Sequence, residues 1–226
     1  MKQLLKRAAA ALPEAVQQDL KRYHFRRQIK RDVFRPDEPD YERLPAMVKA
    51  GDWVLDIGAN VGQYTRKLSD LVGPKGRVFA FEPIPDTFEL LASNCARFPL
   101  RNVTLINAAA SSTVGLVHMS VPEWEPGGRS NFYQARVSEE GGGGSHYSVA
   151  ALPVDTLALP QRVSFAKIDA EGHEQEVVRG MAQLIDRDHP IILAEGTAAE
   201  AFLHERGYST ERLPGSPNGI STYQPR

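Results

Sequence analysis

Short apolar runs recur along the chain, each closed by glycine, proline or an acid and each followed by residues with helical spacing. Trp53-Val54-Leu55-Asp56-Ile57 predicts a strand, and Tyr64–Val72 a helix stopped by Gly73-Pro74. Arg77–Phe81 predicts a second strand, and Asp86–Ala96 a helix with Asp86 as its N-cap and Phe88, Leu91 and Cys95 at helical spacing. Val103–Ile106 and Val163–Ile168 predict further strands, and Glu174–Ile185 a helix after the latter. Ile191–Ala194 predicts a fifth strand, followed by a helix near Ala198–Glu205. Strands alternating with helices at this spacing predict an α/β fold: a doubly wound, mostly parallel sheet with helices on both faces. Such sheets bind ligands beyond the carboxyl ends of their strands, at the switch point of strand order.

The pattern changes in three places. Residues 1–31 are basic and helix-prone: nine lysines and arginines face only Glu14 and Asp19, and the apolar positions are loosely spaced for one helix face. A solvated helical extension packed on the main domain is the favoured reading, ahead of an anionic partner. Asp32–Glu42 is acidic, contains Pro36 and Pro39, and reads as a linker. Gly115–Val121 alternates like an edge strand, and Pro122–Ser148, with four consecutive glycines at 141–144, reads as a long loop. The expected division is an N-terminal helical extension and linker over 1–45 and one α/β domain over 46–226.

With 42% hydrophobic and 24% charged residues, the 226-residue chain can bury one substantial core. The net charge of −1 disfavours a general polyanion binder, so nucleic acid is not an expected partner. No stretch has the roughly 20 continuous apolar residues of a membrane span. The start, interrupted by Lys6-Arg7, reads as a helix and not as a secretory signal. A single cysteine, Cys95, excludes an internal disulfide and cysteine-cluster zinc sites, and fits a cytoplasmic protein. Oligomeric state is not legible.

The first strand ends in Asp56-Ile57-Gly58-Ala59-Asn60-Val61-Gly62, immediately before a helix. Glycines let the backbone turn tightly and approach a ligand, and a helix start favours a carboxylate. That suits S-adenosylmethionine, with Asp56 near its amino group. Glu82, ending the second strand, is placed to accept hydrogen bonds from ribose hydroxyls. A dinucleotide site wants G-x-G-x-x-G around a pyrophosphate. Here the spacing is G-x-N-x-G, with an acid at its entry that disfavours a pyrophosphate.

The segments VLDIGANVGQYT, FAFEPIPDTFELLASN, KIDAEGHEQEVVRGM and PIILAEG resemble the FkbM-type methyltransferases across roughly Gly51–Gly196. The resemblance implies a class I methyltransferase fold and methyl transfer to oxygen, commonly on sugars or natural-product hydroxyls. It assigns Asp56, Gly58, Asn60 and Glu82 to the cofactor, with Asn107 and Ala108 beside the adenine; the glycine turn itself adds Gly62 to the expected cofactor site. Ala158 stands where the family pattern would have an acid.

Asp169, Glu171, His173 and Glu174 cluster after the fourth strand. An alcohol needs a base near neutral pH, and His173 suits that role. Asp169 or Glu171 would orient the histidine or the acceptor. Asp169 with Glu195 could also hold Mg²⁺, which ranks below the metal-free reading. His173-Glu174 lacks the second histidine of H-E-x-x-H, so zinc protease chemistry is excluded. In the long loop, Trp124, Arg129, Tyr133 and His146 are candidates to touch a sugar. The expected acceptor is a small molecule or saccharide. A non-catalytic S-adenosylmethionine-binding protein and an RNA methyltransferase are the alternatives.

Overall fold

The apolar runs become strands. The computed structural model describes residues 12–121, 136–137, 145–212 and 214–225. Strands β1 (Trp53–Ile57), β2 (Arg77–Phe81), β3 (Val103–Ile106), β8 (Val163–Ile168), β9 (Ile191–Glu195), β10 (Tyr208–Arg212) and β11 (Asn218–Tyr223) form one sheet, ordered β10-β11-β9-β8-β1-β2-β3. The pairs among β3, β2, β1, β8 and β9 are parallel, and β11 is antiparallel to both β9 and β10. The chain winds outward from β1 to β3, then returns to β8 on the other side of β1. The β1/β8 boundary is therefore the switch point of strand order.

Alternation along β1 sends its side chains to two separate cores. Val54 packs in a cluster with Leu68 and Val72 of α3 (Gln63–Val72) and with Tyr41 and Leu44. Leu55 and Ile57 pack in the opposite cluster with Val177, Val178, Met181 and Ile185. Both faces of the sheet are thus covered, which is why its inner strands are continuously apolar.

The helix expected over Glu174–Ile185 is two helices, α5 (Glu174–Arg179) and α6 (Ala182–Asp188), broken at Gly180-Met181. The break lets the chain pass close to Ser111: a Cβ on Gly180 would lie 1.8 Å from the Ser111 carbonyl oxygen and 3.2 Å from Pro153 Cα. Asp155 accepts hydrogen bonds from Gln183 N and Leu184 N, capping the second piece. Gly180→Ala is expected to cost about 2 kcal/mol or more, because backbone must move on both sides. An unchanged urea midpoint would refute this reading of the break.

Gly115–Val121 (β5) is not an edge strand. It lies between β7 (Ser145–Leu152) and β6 (Arg136–Val137) in a second, four-stranded sheet ordered β4-β7-β5-β6, where β4 is Ala109–Ala110. The expected loop therefore ends earlier, in a strand that pairs along all of β5. Its Trp124, Arg129, Tyr133 and four glycines lie outside the described residues, as does the His146 side chain. The strands β10 and β11 were not expected either. Tyr208–Arg212 exposes four of its five residues, so its polar composition hid it.

Asp86 is not an N-cap. Pro85 opens α4 (Pro85–Cys95), and Asp86 stands in its first turn, accepting a hydrogen bond from Tyr147 of β7. Nor is Asp32–Glu42 a free linker. It leads into a 3₁₀ turn, Pro39–Arg43, where Asp40 is buried and accepts hydrogen bonds from Tyr64, Ser216 and Asn218. Burial pushes its carboxyl upward, but those three donors outweigh it and hold Asp40 below the ordinary carboxylate range. Helix α1 (Glu14–Lys30) packs on α4 through Phe25 and Ile29, which join the cluster of Leu90, Leu91 and Phe98.

Candidate active site

Register brings the candidate residues to one row. Ile57 pairs with Phe81 and Ile168, Phe81 with Ile106, and Ile168 with Ala194. One residue further along each strand stand Gly58, Glu82, Asn107, Asp169 and Glu195. They crowd the carboxyl edge of the sheet around the switch point. An open cleft lies there. Gly58, Asn60, Glu82, Ala108, Asp169, Glu171 and His173 all line it, whereas Asp56, Gly62 and Asn107 do not. Ile84, Ala109, Ala110 and Met119 line it too, bringing α4 and the second sheet into its wall.

The glycine turn is specific in its geometry. Gly58, Asn60 and Gly62 all have positive φ, at 73°, 51° and 93°. Asparagine tolerates that region better than most side chains. A Cβ on Gly58 would lie 1.8 Å from the Asp169 carbonyl oxygen, so the turn after β1 and the turn after β8 are in direct contact. Gly62 serves packing: its Cβ would strike Leu91 of α4 at 2.8 Å.

Glu82 is buried and locked. Its Oε2 accepts from Asn60 N at 2.9 Å and its Oε1 from Ile84 N at 3.0 Å, so it holds both neighbouring turns. Burial pushes its carboxyl up to about 7, against the opposing pull of those two donors. Asn107, by contrast, is exposed and donates to the Glu82 and Pro83 carbonyls, tying the ends of β2 and β3.

Asp56 is fully buried beneath the turn. Its Oδ2 accepts from Thr65 Oγ1 at 2.6 Å, while Oδ1 has no hydrogen-bond partner. Burial raises its pKa, opposed by the nearby Lys167 ammonium and the Thr65 hydroxyl. Asp56 and Gly62 thus stand behind the cleft wall.

Lys167 is the residue that the motif reading missed. It lies within β8, 5% exposed, and its Nζ donates to Gly58 O at 3.2 Å and Asp169 Oδ2 at 3.0 Å. Burial alone would depress its pKa, but Asp169 and Asp56 raise it, so it is a cation. The available signal was a lysine in the middle of VSFAKI, a central parallel strand that should be apolar.

Oxygens of Asp169, Glu171 and Glu195 lie within 4.8 Å of one another. Burial raises Asp169, but Lys167 and a hydrogen bond with Glu195 outweigh it and hold the carboxyl low. Glu195 is pushed up to about 7 by burial and by Asp169 beside it. The Lys167 ammonium, bonded to Asp169, offsets part of the trio's charge.

His173 ends the turn after β8. Its Nε2 is 3.0 Å from Ser111 Oγ, and burial lowers its pKa below the ordinary histidine value. Ser111 orients the ring through that contact. The turn itself is fixed by Glu174, whose Oε1 accepts from Ala170 N and Gly172 N.

This sheet order, with its single reversed strand and its cleft at the switch point, is the class I methyltransferase fold. Residues 56–210 match the Methyltransferase FkbM domain, and the chain belongs to that family of S-adenosylmethionine-dependent methyltransferases. It is 31% identical over 160 residues to the hexuronic acid methyltransferase AglP of Haloferax volcanii. That match covers 69% of this chain and 61% of AglP, so the chain spans about three fifths of that relative. Among solved structures, a methyltransferase FkbM from Methylobacillus flagellatus superposes with a TM-score of 0.56 at 16% identity, over 76% of this chain and 43% of that one. Aeropyrum pernix fibrillarin, solved with bound S-adenosyl-L-methionine, superposes at 0.51 and 16%, over 78% and 68%. Among the described residues no helix is long and apolar enough to cross a membrane.

Proposed function

We propose that this chain transfers a methyl group to a hydroxyl of a saccharide or natural product, in the cytoplasm, with residues 46–226 as the catalytic domain and 1–45 as its extension. The observation that carries the reading is the single cleft joining the glycine turn, Glu82 and His173. The residues fit the cofactor. Glu82 faces the cleft with one acceptor position per oxygen already used by backbone and a second left for the two ribose hydroxyls. Gly58 and Asn60 line the approach for the methionine end, and Ala108 leaves room for a flat base. S-adenosylmethionine supplies an electrophilic methyl group bound to a sulfonium.

The protein's part is positioning and proton handling. His173, neutral because burial lowers its pKa, accepts the acceptor hydroxyl's proton, and Ser111 fixes its ring. Asp169 and Glu171 accept hydrogen bonds from neighbouring hydroxyls of a polyol. The relationship to a hexuronic acid methyltransferase supports a saccharide acceptor.

Methyl-labelled cofactor offered with a panel of neutral sugars, uronic acids and phenolic natural products tests the assignment. Label on a hydroxyl is the expected result, and cofactor binding without transfer to any acceptor would leave a binding protein only. His173→Ala is expected to lower kcat about 100- to 1000-fold while cofactor affinity stays near wild type. In the wild type, kcat should fall on acidification only below the ordinary histidine range, because the base must be neutral and its pKa is depressed. Unchanged turnover at saturating acceptor would remove His173 as the base.

A further inference from the structure

The outward face of α1 is not needed by the core. Phe25 and Ile29 supply the contacts inward. On the other side Val16, Leu20 and Tyr23, spaced i, i+4, i+7, are 42, 47 and 59% exposed, with Leu12 just before them. Further along the helix the same face becomes cationic. Arg27 lies over the Tyr23 ring at 5.7 Å, and Tyr23, Arg26, Arg27, Lys30 and Arg31 line a shallow groove. Among the described residues no carboxylate pairs with Arg26, Arg27, Lys30 or Arg31, whereas Arg22 on the inward flank pairs with Asp19 and Glu89.

The charge of the whole chain is segregated in the same sense. Residues 1–31 carry a formal +7, and residues 32–226 carry −8. An anionic surface would therefore attract the helix and repel the body, which fixes orientation as well as affinity. A second copy meeting this face would press two cationic arrays together. A nucleic acid would satisfy the cations but leave Val16 and Leu20 without a role. A bilayer with anionic headgroups satisfies both halves. Apolar side chains and the tyrosine ring enter the headgroup boundary, and guanidinium and ammonium groups reach the phosphates on flexible stems.

We propose that the outward face of α1 is a peripheral docking surface for an anionic lipid bilayer. The proposal does not depend on the methyl-transfer reading, since the face lies outside the family match at 56–210. The helix contacts α4 at Asp86, whose carbonyl accepts from Gln18, two residues from the cleft-lining Ile84. Docking would thus bring the cleft near the lipid surface.

The test is flotation of the full chain with vesicles of phosphatidylcholine alone or mixed with phosphatidylglycerol, at low and high salt. Binding is expected only to the mixed vesicles and should weaken with salt. Removing Arg26, Arg27 or Lys30 should weaken it about fivefold per charge. Leu20→Glu with Tyr23→Glu should abolish it at an unchanged melting temperature, because neither side chain packs in the core. Failure to float, or flotation indifferent to the Leu20/Tyr23 pair, overturns the proposal. So does a dimer that Leu20→Glu dissociates without any vesicle binding. RNA retention by a chain that ignores vesicles overturns it as well.

Discussion

Glu82→Ala is expected to weaken S-adenosylmethionine binding by about 100-fold or more, measured by calorimetry. Two losses combine. The ribose loses its acceptor, where each hydrogen bond to a charged group contributes about 1.5–3 kcal/mol. The Asn60 and Ile84 amides also lose their partner, so the turn that receives the cofactor and the start of the approach to α4 loosen together. Glu82→Gln separates these effects, since it keeps one acceptor oxygen and should lose less. The wild type adds a pH signature. Hydroxyl donors favour the ionised carboxylate, and the unliganded carboxyl titrates at about 7. Cofactor affinity should rise with pH through that value and level off above it. Folding stability should move oppositely: a carboxyl raised from 4.5 to about 7 binds protons more tightly in the folded chain, so its contribution declines as pH rises across that window. Affinity equal in Glu82→Ala and wild type would remove Glu82 from the cofactor site.

Lys167→Met should be the most destabilising single change at the site. Removing one partner from a buried ionic group typically costs about 3–5 kcal/mol, because the remaining charge is left uncompensated. Here the group left behind includes Asp56, which is fully buried, with Asp169 discounted because it reaches solvent. The loss should depend on pH. Without the ammonium, the Asp56 carboxyl rises further above its already raised value, so the folded variant takes up protons that the unfolded chain releases. The gap in urea midpoint between variant and wild type should be wider at pH 8 than at pH 5. A gap equal at both values would show that packing, not charge, is what Lys167 supplies.

The alternation of apolar runs and glycine stops was enough to place five parallel strands, because a strand covered on both faces must be apolar throughout. The same logic put Gly58, Glu82, Asn107, Asp169 and Glu195 along one edge, since the residue just past each strand falls on one row of the sheet. It could not tell which of those residues faces the cleft. Asp56 and Gly62 belong to the glycine turn, yet they support it from beneath, through Thr65 and Leu91. Ser111 follows a two-residue strand with no periodicity to announce it. The split of the helix after His173 depends on the close passage of Ser111 past Gly180, a contact between residues 69 positions apart. Strand β10 exposes four of its five residues, and β11, although largely buried, is built mostly of small and polar residues, so neither carries an apolar signature.

The buried Asp40 has a consequence for the order in which the chain assembles. Two of its three hydrogen-bond partners, Ser216 and Asn218, lie 176 and 178 residues further along. A carboxylate left dry without donors is strongly disfavoured. During synthesis the segment around Asp40 therefore has no stable seat until Ser216 and Asn218 have emerged. The segment docks late, together with β11.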